Sequence, residues 1–110
     1  MQKFNSAGVD IAFIDSHPAH GSGEPVLLIH GFASNHQVNW VATGWARTLH
    51  EAGYRVIMLD NRGHGHSQKL YAQSDYSSPI MADDAKRLLD HLKIEKAAVM
   101  GYSMGARISA

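Results

Sequence analysis

The sequence predicts an α/β fold in three layers, a mostly parallel sheet covered by helices on both faces. Three observations carry this. Residues 25–29 and 54–59 are apolar runs of strand length, the pattern of strands buried on both sides. Segments of helical period follow each of them, at 39–52 and from Pro79 onward. The resulting order, a hairpin and then strand, helix, strand, helix, strand, is that of parallel crossover units.

Taken in order, 9–14 alternates weakly between apolar and polar residues and reads as a strand. Phe4 belongs to a second strand paired with it across the turn Asn5-Ser6-Ala7-Gly8. Residues 17–24, rich in Gly, Ser, His and Pro, form a loop before the strand at 25–29. In the helix at 39–52, Val41, Trp45, Leu49 and Ala52 fall on one stripe, and Gly53 is placed as its stop. The strand at 54–59 leads into a long polar loop, 60–78. Pro79 suits the first turn of the next helix, in which Met81, Ala85, Leu88, Leu89 and Leu92 share a face. A short apolar strand follows at 96–100, and the start of another helix from Met104.

Composition narrows the function classes. The chain has 110 residues, room for one small domain, with 45% hydrophobic and 18% charged residues. Its formal net charge of zero points to a small-molecule substrate rather than nucleic acid or an anionic membrane. The absence of cysteine removes disulfides, thiolate catalysis and Cys-based metal sites, and fits a cytoplasmic location. The first residues lack the apolar run of a signal peptide, and no stretch approaches the ~20 apolar residues of a membrane span. Eight histidines make the chain cationic as pH falls through their range.

The strongest chemical signal is Gly101-Tyr102-Ser103-Met104-Gly105, between an apolar strand and a helix-like segment. A sharp strand-to-helix turn needs glycine at both flanks, here Gly101 and Gly105, and leaves the Ser103 hydroxyl exposed at the carboxyl edge of the sheet. The Met104 N–H then lies at a helix N-terminus, able to stabilise negative charge on a substrate oxygen. The plainer reading is a glycine-rich turn with Ser103 as a helix cap. A second signal, His30-Gly31-Phe32, follows the 25–29 strand. It places a second oxyanion donor at the Phe32 N–H, with Gly31 permitting close approach and His30 shaping the loop. The third, Asp60-Asn61-Arg62-Gly63-His64-Gly65-His66-Ser67, reads as a structural wall beside the site, fixed by an Asp60–Arg62 pair or by backbone hydrogen bonds. His64 and His66 lack further ligands at metal spacing, so neither a metal nor a cofactor is expected.

Together the three landmarks resemble the α/β-hydrolase superfamily, in particular its esterases, lactonases, haloperoxidase-like enzymes and C–C bond hydrolases. The resemblance implies that Ser103 is a nucleophile and that the Phe32 and Met104 amides form an oxyanion hole. A serine at the elbow points away from epoxide hydrolases and haloalkane dehalogenases, which use a carboxylate there. The implied function is acyl transfer to Ser103 and then to water, with a carboxylic ester or lactone as substrate. C–C bond hydrolysis is the alternative within the class; Asn35-His36-Gln37 and Asn39-Trp40 are candidate pocket lining, with core packing an equal reading for Trp40.

The superfamily order is Ser, then an acid, then His. The seven residues after Ser103 contain neither. Residues 1–110 therefore read as a single incomplete domain, the N-terminal part of the fold without the later strands, cap, acid and His. Little or no activity is expected of the chain alone unless an upstream histidine (His30, His36, His64 or His66) serves as base. A non-catalytic ligand-binding or interaction fragment is the rival reading. An exposed strand edge at 96–100 would suit self-association or a complementing C-terminal chain.

Overall fold

The computed structural model describes residues 2–18, 21, 23–30, 35–41, 43–68 and 78–101. Strands β1 (Gln2–Ser6) and β2 (Val9–Ser16) form an antiparallel hairpin in which Ser6 lies opposite Val9. Its turn is therefore Ala7-Gly8, and both residues have positive φ, 48° and 94°. That conformation matches the right-handed twist of the flanking strands. Strand β3 (Pro25–Ile29) pairs in parallel with β4 (Arg55–Leu59) on one side and with β5 (Ala98–Gly101) on the other. The hairpin joins through an antiparallel β2–β4 pairing, giving the order β1-β2-β4-β3-β5. This is the predicted α/β sheet, mixed overall and parallel at its centre.

The central strands are buried on both faces because each alternates its apolar side chains between two cores. Leu27, Ile29, Ile57 and Leu59 join Phe4, Ile11 and Phe13 under helix α2 (Ser78–His91), against Met81, Ala85 and Leu88. Val26, Leu28, Val56 and Met58 form the other face, with Trp40, Ala46 and Leu49. The α2 stripe is the one read from the sequence, with Leu89 and Leu92 at its margin. Each large side chain so buried contributes about 1.5–3 kcal/mol.

The predicted helix at 39–52 is corrected. A π-helical turn spans Gln37–Val41, and α1 runs only over Trp45–Glu51. Between them Gly44 has φ 87°, which a continuous helix of L-residues does not accommodate. The interruption rotates the register of the predicted stripe. Val41 and Trp45 are 39% and 47% exposed, whereas Trp40 is 3% exposed and fills the core. The predicted stop holds: Gly53 donates to the His50 carbonyl and Tyr54 to the Leu49 carbonyl, a Schellman ending.

Candidate active site

The parallel register aligns the carboxyl ends of three strands. Ile29 lies beside Leu59 on one side and Gly101 on the other. The segments from His30 and Asp60 thus leave from the edge of the sheet at which Gly101 ends β5, the edge where ligands bind in open α/β folds. Gly101 ends β5, and His30 is buried directly after β3. Ser103, Met104, Gly105, Gly31 and Phe32 lie outside the described residues.

Asp60 is the fixed point of the middle loop. It is fully buried and accepts the His36 backbone N–H at 2.9 Å, the His36 Nδ1–H at 2.8 Å and the His66 N–H at 3.0 Å. A Cβ on Gly65, which has φ +51°, would collide with this carboxylate. Burial works to raise the Asp60 carboxyl, but the two backbone N–H groups and the His36 ring outweigh it and hold it below the ordinary carboxylate range. The loop also clamps β2: the Ser67 hydroxyl donates to the Asp60 carbonyl and accepts the Ala12 N–H, and Gln68 and Asp10 exchange two hydrogen bonds. Backbone hydrogen bonds to Asp60, one of the two expected ways, fix the loop, and the His36 ring adds a third bond.

The Asp60–Arg62 pair, the alternative to those backbone bonds, is not formed. Arg62 turns instead to Asp84 on α2, with Nε and Nη2 donating to its two carboxylate oxygens at 2.7 and 2.9 Å. Ser6 of β1 adds a hydroxyl at 2.6 Å, and all three side chains are buried. His36 belongs to the Asp60 anchor rather than to an open pocket lining, and Trp40 belongs to the core. His64 donates from Nδ1 to the Arg62 carbonyl at 2.9 Å.

His30 is held through Asn61, which the sequence reading passed over. The Asn61 backbone N–H donates to His30 Nε2 at 2.9 Å, and its side-chain Nδ2 donates to the His30 carbonyl at 3.3 Å. A ring nitrogen that accepts an amide N–H carries no proton, so His30 is the neutral Nδ1–H tautomer.

Two carboxyls give an acid limit to stability. The Arg55 guanidinium, which donates two hydrogen bonds to Asp15 between β4 and β2, holds Asp15 below the usual carboxylate range. Groups lowered on folding contribute fully above the unfolded carboxylate value of about 3.9 and lose that contribution as pH falls through the folded value. Unfolding free energy is therefore expected to fall steeply below about pH 4, and Asp15→Asn to make that fall shallower in urea titrations at stepped pH. An unchanged acid slope in the variant would remove Asp15 from the account.

The sequence profile of a family described as "alpha/beta hydrolase fold" matches residues 24–110. Non-heme chloroperoxidase CPO-A1 of Kitasatospora aureofaciens is 36% identical over 101 residues, covering 89% of this chain and 32% of that protein. Epoxide hydrolase B of Mycobacterium tuberculosis is 32% identical over 108 residues, covering 96% and 29%. Among solved structures, Est816, described as an N-acyl homoserine lactone degrading enzyme, superposes with a TM-score of 0.82 at 30% identity, covering 98% of this chain and 38% of that one. An esterase from Exiguobacterium antarcticum gives 0.83 at 29%, covering 97% and 37%. The chain thus spans about a third of the length of the proteins it matches.

Proposed function

Because this chain belongs to the α/β-hydrolase fold family, we propose that it is the nucleophile-bearing part of a serine hydrolase acting on a carboxylic ester or lactone. The observation that carries the reading is the alignment of three strand ends at one sheet edge, leading into the His30-Gly31-Phe32, 60–67 and 101–105 segments. Its relatives and structural neighbours include an epoxide hydrolase, a lactone-degrading enzyme and an esterase, beside a chloroperoxidase. Serine at position 103 favours acyl transfer among these chemistries, since a hydroxyl forms an ester with an acyl group that water then cleaves. In this reading Ser103 Oγ attacks the carbonyl carbon, and the Phe32 and Met104 N–H groups receive the developing oxyanion. The alcohol leaves with a proton from the general acid–base group, and water repeats the sequence in reverse.

Ser103 needs a base to lose its proton. A fluorophosphonate probe is therefore expected to leave the 110-residue chain unmodified. It is expected to label Ser103 in a chimera joined to the C-terminal two thirds of the Exiguobacterium esterase, and to miss the Ser103→Ala chimera. Peptide mass spectrometry reads the site. A folded chimera that binds small esters without labelling would favour the non-catalytic reading.

A further inference from the structure

We propose that the groove between α1 and the β2–β4 pair binds a short-chain carboxylate, with the alkyl tail on the sheet and the carboxylate on Arg47. This site does not depend on the role given to Ser103. It includes the Ser16–Val56 pair, near the amino end of β4, whereas the candidate active site lies beyond Leu59 at the carboxyl end.

The first observation is the shape of this face. A cavity of about 210 Å³ lies against Ile14, Ala46, Val56 and Met58. Antiparallel register sets Ile14 beside Met58 and Ser16 beside Val56, on one side of the sheet. Val56 and Met58 are 1% and 4% exposed and belong to the core that holds Trp40, so the floor is firm. The space exists because α1 starts late and presents a small residue. Gly44 breaks the helical run, and Ala46 is the first residue of α1 to pack on this core. Its methyl group leaves open the volume that a Leu or Met side chain would occupy.

The second is the charge beside that floor. Arg47, His50 and Ser16 supply the polar lining, and no acidic side chain is among the described residues that line the cavity. His50 donates from Nε2 to the His17 carbonyl at 2.8 Å, which holds its ring in place. The Ser16 hydroxyl has no hydrogen-bond partner among the described residues. Arg47 meets Glu51 through Nε at 3.0 Å, and its two Nη groups have no partner among the described residues. The side chains of Arg47 and Glu51 are 83% and 63% exposed, so their pairing is weak and readily exchanged. A guanidinium with both terminal nitrogens available takes a carboxylate in a two-point contact that an alcohol does not reproduce. Charge complementarity therefore selects an anion.

The third is size. Pockets for drug-sized ligands run to about 300–1,000 Å³. A smaller cavity, with an apolar floor and one guanidinium at its side, suits an unbranched acid the length of hexanoate.

The test is a titration of the 110-residue chain with sodium hexanoate, followed by methyl NMR of Ile14, Ala46, Val56 and Met58. These methyls should shift together, with a Kd on the order of 1 mM, the reach of so small a ligand. Acetate, the head without the tail, and 1-hexanol, the tail without the charge, should each bind about tenfold more weakly. Arg47→Gln, at an exposed side chain, should bring hexanoate down to the level of 1-hexanol. Glu51→Gln should tighten hexanoate about two- to threefold by removing the competing carboxylate. Ala46→Met should fill the cavity and abolish binding of both hexanoate and 1-hexanol. Absence of these shifts at about ten times the expected Kd would overturn the proposal. So would 1-hexanol binding as tightly as hexanoate, or an Arg47→Gln chain with the parent's affinity. Should Ala46→Met not fold, the Arg47→Gln and 1-hexanol titrations decide it alone.

Discussion

Purified as the 110-residue polypeptide, the chain is expected to hydrolyse p-nitrophenyl acetate at about 10⁻⁶ of the turnover of a complete triad. The size of the effect follows from the chemistry of the nucleophile. A serine hydroxyl is protonated at neutral pH, and without a base the oxyanion hole and substrate binding give only residual acceleration. The chimera carrying an acid and a His should restore turnover, and Ser103→Ala in it should remove the restored rate. Progress curves at saturating substrate measure both. One of the upstream histidines is already committed in a way that does not favour a base. His30 uses the Nε2 lone pair to accept the Asn61 N–H, and His64 donates from Nδ1 to a backbone carbonyl. His36 alone among these three has a carboxylate behind Nδ1, the arrangement of a base with its orienter. Robust, Ser103-dependent hydrolysis by the isolated chain would overturn the expectation, and His36→Gln would then identify the base.

The parts of this fold that were legible in the sequence are those where one physical cause dominates. Pro25–Ile29 reads as a buried strand because a short, continuous apolar run suits a strand whose two faces both meet apolar layers. The α2 stripe reads correctly because helical period and packing agree. The first helix was misread because Val41, Trp45 and Leu49 keep a helical spacing across a break that Gly44 imposes. Trp40, one residue out of that stripe, is the true core residue. At the candidate site, the sequence order of the three landmarks predicts which strand ends meet. It does not predict that Asp60 would take the His36 ring, because nothing in one dimension marks a partner 24 residues upstream over the nearby Arg62. Asp84 did leave a signal. It falls between Met81 and Ala85 and four residues before Leu88, a carboxylate within the apolar face of α2. A charge in that position demands a buried partner.

That partner gives the second large effect. Asp84→Ala is expected to destabilise the chain by about 3–5 kcal/mol, because it leaves the Arg62 guanidinium buried without its carboxylate. The bidentate pair spans β4's loop and α2, and the Ser6 hydroxyl ties β1 into the same carboxylate. One deletion therefore loosens three elements that are distant in sequence. With a total stability on the order of 5–15 kcal/mol for a small domain, such a loss consumes much of the reserve. In urea it should move the midpoint down by on the order of 2 M. The cost lies in a buried guanidinium stripped of the Asp84 carboxylate rather than in the strength of the bridge, so removing both charges should be far milder. Arg62→Met with Asp84→Leu is expected to recover most of the lost midpoint, since an apolar pair of similar volume replaces a desolvated ion pair at little net cost. A double variant as unstable as Asp84→Ala would instead place the stability in the Ser6–Asp84–Arg62 geometry itself. The loop carrying Asp60 and Asn61 would then depend directly on α2 for the position from which it faces the sheet edge.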